Sequence, residues 1–246
     1  MNQKCLDVAL AQKVLSTPDW QPEERNLKQF QQLYEQIMTQ NKRSNLTRIT
    51  EPQEFLEKHI WDSLAGIQPL DSLEKGGEAK TAIDIGTGGG FPGIPIAIAR
   101  PNYLVTLLDS VAKKMLLLEE IITALNLNNV KTVNGRAEEI GQDPDRRESY
   151  DLVSIRAVGL ASVCAEYALP FLKIGGIAIL YRGQWSGEES DRLTLAAREL
   201  GGEINEIRSL TTPLTQGIRH CIYLEKKEPT PAQYPRRIGV PAKKPL

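Results

Sequence analysis

Cysteine and histidine are both scarce in this 246-residue chain, which has Cys5, Cys164 and Cys221 as its thiols and His59 and His220 as its imidazoles. Three scattered cysteines fit a reducing compartment and support neither a disulfide framework nor a zinc cluster, so no metal site is expected. Long apolar runs are missing as well. None approaches the roughly 20 residues that span a bilayer. The opening Met1-Asn2-Gln3-Lys4 leads into a segment broken by Asp7 and Lys13, so the expected location is cytoplasmic. Nor is there a surplus of one charge: a formal net charge of -1 gives no global basic field, and any contact with RNA has to be local. Low-complexity tracts are absent and no internal repeat is visible. What remains, 41% hydrophobic and 25% charged residues, is the composition of a globular chain long enough for one α/β core with an appendage.

Before residue 76 the pattern is helical. Leu27, Phe30, Leu33, Tyr34, Ile37 and Met38 recur at three- and four-residue spacing behind Pro22. Thr50-Glu51-Pro52-Gln53 then signals a second amphipathic helix, carrying Phe55, Leu56, Ile60 and Leu64 and ending near Gly66. Asp71 to Lys80, with Gly76-Gly77, reads as a linker. From Thr81 short apolar runs alternate with helical stretches, the signature of βαβ units. Strands are expected near Thr81–Ile85, Tyr103–Asp109, Val130–Val133, Asp151–Ile155 and Gly176–Tyr181. Helices are expected after Pro92, over Ala112–Leu125 and over Val163–Leu172. Ile204–Leu210 and His220–Leu224 lie too close together for a crossover helix and predict a closing antiparallel hairpin. The expectation is a Rossmann-like, mostly parallel seven-stranded α/β sheet over residues 76–228, behind a helical extension 1–75 and before a tail 229–246.

The first strand runs into Gly86-Thr87-Gly88-Gly89-Gly90-Phe91-Pro92-Gly93. Glycines let the backbone turn tightly and approach a ligand, and the helix that follows offers free N–H groups. Gly88, Gly90 and Gly93 also satisfy the dinucleotide spacing, so the turn alone does not choose its cofactor. Asp84, beneath the turn, favours a sulfonium ligand over a pyrophosphate, and Asp109 at the end of the second strand can accept hydrogen bonds from ribose hydroxyls of either. S-adenosylmethionine is the expected cofactor. Backbone amides at Ala137 and Glu138 are candidates to close over adenine, and Arg156 at the end of the fourth strand is the conspicuous polar group where the acceptor must meet the methyl. No Asn/Asp-Pro-Pro-aromatic segment for gripping an exocyclic amine stands there, and Cys164 falls inside a predicted helix, as a core residue rather than a nucleophile. The tail brings Arg236, Arg237, Lys243 and Lys244 among prolines, an extended cationic strip suited to an RNA backbone. His59, beside an apolar stripe, reads as a hydrogen-bonded structural histidine.

Asn45-Leu46-Thr47, Lys58-His59-Ile60-Trp61-Asp62-Ser63-Leu64, the segment Asp84 to Pro95, Leu107-Leu108-Asp109-Ser110, Arg136-Ala137-Glu138 and the Arg-Arg-Ile-Gly tail together resemble the bacterial small-subunit rRNA methyltransferase G family, also called the glucose-inhibited division protein B family. The resemblance covers almost the whole chain. It implies methyl transfer to N7 of one guanine, position 527, in the 530 loop of 16S rRNA, with the small ribosomal subunit or an assembly intermediate as partner. It also implies cofactor contacts at Gly86, Phe91, the turn Asp109-Ser110-Val111, Ala137 with Glu138, and Arg156, to which the residue reading adds Asp84 and Gly88. A monomer is expected. Two alternatives are weighed: an NAD(P)-dependent oxidoreductase using Gly88, Gly90 and Gly93, and a ribosome-assembly RNA-binding protein without turnover.

Overall fold

The computed structural model describes residues 5–18, 20–73 and 79–246. Met1 to Lys4 and half of the expected linker, including Gly76-Gly77 and the 75/76 boundary, lie outside them. The short apolar runs form seven strands: β1 Lys80–Ile85, β2 Tyr103–Asp109, β3 Val130–Asn134, β4 Tyr150–Arg156, β5 Leu172–Arg182, β6 Gly202–Thr211 and β7 Ile218–Lys226. They lie in the order β3-β2-β1-β4-β5-β7-β6. The first five are parallel, whereas β7 runs antiparallel to both β5 and β6, as the short connection required. β5 begins earlier than expected because Leu172 pairs with Tyr150 ahead of an irregularity in the ladder.

Successive side chains of a strand point to opposite faces, and here both faces are covered. Ala82, Val105, Leu107, Leu152, Ile179 and Tyr181 enter one hydrophobic cluster. Their neighbours Ile83, Leu108, Val153, Ala178 and Leu180 enter the other. The first face is covered by α5 Gly93–Ala99 and α6 Ala112–Ala124, and by the N-terminal helices α1 Val8–Leu15 and α2 Glu24–Asn41. Phe30, Leu33, Tyr34 and Ile37, the predicted stripe of α2, are buried there. The second face carries α8 Ala161–Ala168 and α9 Gly187–Glu199, with the short α7 Ala137–Ile140 at its edge. The sequence pattern left α9 unassigned. Its buried face is only Leu193, Ala196 and Ala197, too small and interrupted to stand out against its charged side.

The second predicted helix is not uniform. It consists of α3 Pro52–Phe55, a π-helical stretch Leu56–Trp61 and α4 Asp62–Ala65, with Gly66 as its C-cap. π-Helical turns are rare and cluster at functional sites. Inside this one Glu57 is fully buried and accepts hydrogen bonds from the Leu214 and Thr215 amides at 2.6 and 2.8 Å, tying the run to the β6–β7 loop.

The tail also departs from expectation. It is not an extended strip: Gly239 takes a left-handed conformation (φ 75°) and starts the short α10 Val240–Lys243. The Arg147 guanidinium donates to the carbonyls of Thr230 and Tyr234, both at 2.7 Å, and holds the segment against the sheet domain.

Candidate active site

The open end of the sheet is where β1 to β4 terminate, and the strand order reverses between β1 and β4. In doubly wound sheets this switch point is the ligand crevice. β1 leaves the sheet through Gly86, whose φ of +69° suits glycine, and a Cβ there would come within 2.6 Å of Val158 Cγ2 on the facing loop. Asp84 sits under the turn. Its Oδ2 accepts from Thr87 Oγ1 at 2.6 Å and from the Gly93 amide at 2.9 Å, and its Oδ1 accepts from Ser154 Oγ at 3.0 Å. Burial pushes this carboxyl upward against those bonds. The expected ligand contact at Asp84 is therefore corrected: the carboxylate is 1% exposed and stands behind the cavity, shaping the turn that forms it.

A cavity of about 250 Å³ opens between the ends of β1, β2 and β3 and the loop after β4. Gly86, Asp109, Ser110, Ala137, Glu138 and Val158 are among its walls. Asp109 accepts from the Gly88 amide through Oδ2 and from the Val111 amide through Oδ1, both at 2.9 Å. Gly88 and Val111 thus aim the carboxylate and are not themselves walls. Each Asp109 oxygen keeps a second acceptor position, which suits the paired hydroxyls of a ribose. Leu108, Ala157 and Val158 supply apolar surface on which a base can lie. The residues fit the adenosine of S-adenosylmethionine.

Glu138 combines two duties. Its Oε1 accepts from the Gly239 amide at 3.0 Å, from Tyr167 at 3.2 Å and from Arg136 at 3.2 Å. Burial pushes its carboxyl up, yet the Gly239 amide and Arg136 outweigh this and hold it below the usual range. The side chain is thus engaged by Gly239, Tyr167 and Arg136, and Glu138 lines the cavity together with Ala137.

Beyond β4 lies a second cavity of about 290 Å³, lined by Asp62, Arg156, Ala157, Arg182, Arg219 and His220 among others. Ala157 belongs to both cavities, and its backbone is left-handed (φ 58°) where β4 ends. Arg156 is held from several sides. Its Nη1 donates to the Lys58 carbonyl at 2.8 Å and lies 3.4 Å from Asp62 Oδ2, while its Nη2 donates to His59 Nδ1 at 3.2 Å. Because a guanidinium only donates, His59 Nδ1 must accept and the proton sits on Nε2, which bonds Thr47 Oγ1 at 2.7 Å. Phe91 stacks on the His59 ring at 4.2 Å and lies under Arg156 at 5.7 Å. Phe91 is thus a buried prop behind Arg156, and the structure does not bring its ring into either cavity wall. Burial and the Arg156 charge lower the His59 pKa to about 3, so the ring is neutral. His59 is the hydrogen-bonded structural histidine that the apolar stripe suggested.

Asp62, Arg182 and Arg219 were not anticipated as site residues. The signal for the arginines was available: Arg182 ends a parallel strand, and antiparallel pairing brings the start of β7 to the same rim, with Arg182 opposite His220. Cys164 is a buried thiol pushed up to about 12 by burial, in keeping with a core role. In the tail, Arg236 is bound by three of its atoms to fully buried Glu166, with Nη2 to Oε2 at 2.6 Å, and is corrected from a free phosphate ligand to a clasp. Arg237, Lys243 and Lys244 are exposed. Among the described residues no cluster of three potential metal ligands occurs and no helix is long and apolar enough to cross a membrane.

Comparison with known proteins bears on this site. The fold is that of a mutant of the 16S rRNA (adenine(1408)-N(1))-methyltransferase from Catenulisporales acidiphilia solved with its cosubstrate SAM, at TM-score 0.53 and 17% identity, covering 63% of this chain and 88% of that one. The family described as rRNA small subunit methyltransferase G matches residues 26–220, which include the lining of the first cavity and all of the second but Cys221. The ribosomal RNA small subunit methyltransferase G of Nostoc punctiforme is 56% identical over 94% of each chain. That of Trichodesmium erythraeum is 53% identical over 94% of this chain and 91% of its own length. With a match of that length embracing the turn, Asp109, Arg156 and the arginine rim, the chain belongs to the ribosomal RNA small subunit methyltransferase G family.

Proposed function

We propose that the protein transfers a methyl group from S-adenosylmethionine to N7 of one guanine, position 527 in the 530 loop of 16S rRNA, acting as a monomer on the small subunit or its assembly intermediate in the cytoplasm. The observation that carries this reading is the pair of cavities meeting at Ala157, one suited to a nucleoside and one rimmed by cations. When bound, S-adenosylmethionine supplies an electrophilic methyl on a sulfonium.

The chain's own residues have the tasks that remain. Asp109, with Gly88 and Val111 aiming it, accepts the ribose hydroxyls, while Ala137 and Glu138 close the far wall. Guanine N7 has a lone pair and no proton, so transfer calls for in-line positioning and for no general base. His59 is not placed to act as one: it is buried, neutral and occupied at both nitrogens. Its neutrality matters electrostatically, because Arg156 already places one cation beside the junction and Asp62 partly balances it. A second cation would oppose a sulfonium there. An A-form helix hides N7 in a deep groove, so the acceptor has to be a loop or an opened base.

Family membership leaves the oxidoreductase and the turnover-free RNA binder without support. Mapping methylated nucleotides on 16S rRNA from cells with and without this protein tests the proposal: the 7-methyl mark at position 527 is expected to disappear with the protein, and its persistence would refute the reading.

A further inference from the structure

The second cavity has a chemistry of its own. Asp62 stands in its wall with a side chain only 13% exposed, between Arg156 and Arg219. Each arginine reaches it through a single long approach, 3.4 Å from Arg156 Nη1 and 3.3 Å from Arg219 Nε. Neither pair has the bidentate fork that Arg and carboxylate form when they saturate each other. A carboxylate has about four acceptor positions, so Asp62 keeps acceptors free towards the cavity. Its place is fixed from behind. The π-helical stretch before it is pinned by Glu57 to the β6–β7 loop, and Tyr181 closes the floor by donating to the Ser63 carbonyl at 2.8 Å.

Among the RNA bases, guanine alone presents two adjacent donors, N1–H and the N2 amine, to one carboxylate. Adenine turns a lone pair to the same place, cytosine pairs a donor with a lone pair, and uracil has one donor between two carbonyls. Extruded bases are read through this edge. With that edge held, N7 on the other side of the ring is left free. The cations around the cavity suit the nucleotide's phosphates: Arg182 spends Nη1 on the Gly159 carbonyl at 2.7 Å and Nη2 on Glu189 at 3.3 Å, and Arg219 spends Nη1 on the Ile218 carbonyl at 3.0 Å. A guanidinium has five N–H donors, so both retain donors for phosphate oxygens.

We propose that this cavity receives the extruded target guanine and that Asp62 is the specificity-determining residue, accepting hydrogen bonds from guanine N1–H and N2–H. The proposal rests on the methyl-transfer reading above and deepens it.

The test uses the full-length protein, tritiated S-adenosylmethionine and small subunits reconstituted with 16S rRNA carrying either guanine or inosine at the target position. Inosine keeps N7 and N1–H and lacks only the N2 amine. The wild-type protein is expected to prefer guanine by roughly ten- to a hundredfold in kcat/KM, the range for one hydrogen bond to a charged group. Asp62→Asn is expected to lose activity on guanine and to abolish that preference while keeping its affinity for S-adenosylmethionine in calorimetry. Equal wild-type rates on guanine and inosine would overturn the proposal without any variant. So would an Asp62→Asn protein that is slower yet keeps the wild-type preference, the outcome of a merely structural role. Absence of wild-type transfer to guanine subunits would instead overturn the methyl-transfer reading, and this proposal with it.

Discussion

The cavity on the β3 side of β4 and the cavity on its β7 side are built by different means. The first is framed by the Gly86 turn, the start of α7 at Ala137, and one carboxylate, Asp109, aimed by two neighbouring N–H groups. The second is framed by charged side chains from segments far apart in sequence, Asp62, Arg156, Arg182 and Arg219. The first cradle recognises a ligand that is the same in every turnover. A side-chain cradle selects among similar bases, and its charges must be balanced against one another.

The contrast can be broken most severely at Asp84, which organises the first cavity without lining it. Asp84→Ala leaves the Thr87 hydroxyl, the Gly93 amide and the Ser154 hydroxyl without their acceptor in a buried place, a cost of about 3–5 kcal/mol. A lowered denaturant midpoint, with cofactor affinity falling together with it, is the expected result.

On the other side, His59 ties stability to pH. Its folded pKa of about 3 lies below the ordinary 6.5, so the unfolded chain binds the proton more readily. The stability due to neutral His59 is therefore complete above pH 6.5 and is lost as pH falls towards 3, with a slope of at most about 1.4 kcal/mol per pH unit from this residue. His59→Gln is expected to flatten that acid limb in denaturation curves taken between these limits.

Gly86→Ala sharpens the comparison at moderate cost. The added methyl meets Val158 and strains a left-handed residue by roughly 1–2 kcal/mol, so calorimetry should show cofactor affinity weakened about tenfold or more. Affinity for RNA should stay unchanged if the second cavity is built independently.

The smallest effects belong to the tail. Arg237→Ala or Lys243→Ala should leave stability unaltered and reduce the salt dependence of RNA binding by about one counterion each, measured by filter binding across salt concentrations. An unaltered salt slope would show that the exposed cations do not meet phosphate.

The same contrast explains what could be read from the sequence. Seven strands, the closing hairpin and the glycine turn follow from local spacing, since alternation and glycine placement are near-neighbour properties. The place of Asp109 at the end of β2 was legible for the same reason. Asp84 was found by position but given the wrong task, because only the fold reveals that its oxygens are spent on Thr87, Gly93 and Ser154. The arginine rim follows from the expected hairpin, which brings the start of β7 beside the end of β5, whereas Asp62 was hidden because it joins that rim only when the π-helical stretch docks on the hairpin loop. Arg236 misled for a related reason: its buried partner Glu166 is 70 residues away in sequence.

The central claim is that the two cavities hold methyl donor and guanine for one transfer. Its most direct test is single-turnover transfer from tritiated S-adenosylmethionine to unmethylated small subunits, followed by mapping of the labelled nucleotide. The account predicts one 7-methylguanine, at position 527. Label on another atom or nucleotide, or tight NAD binding without transfer, would contradict it.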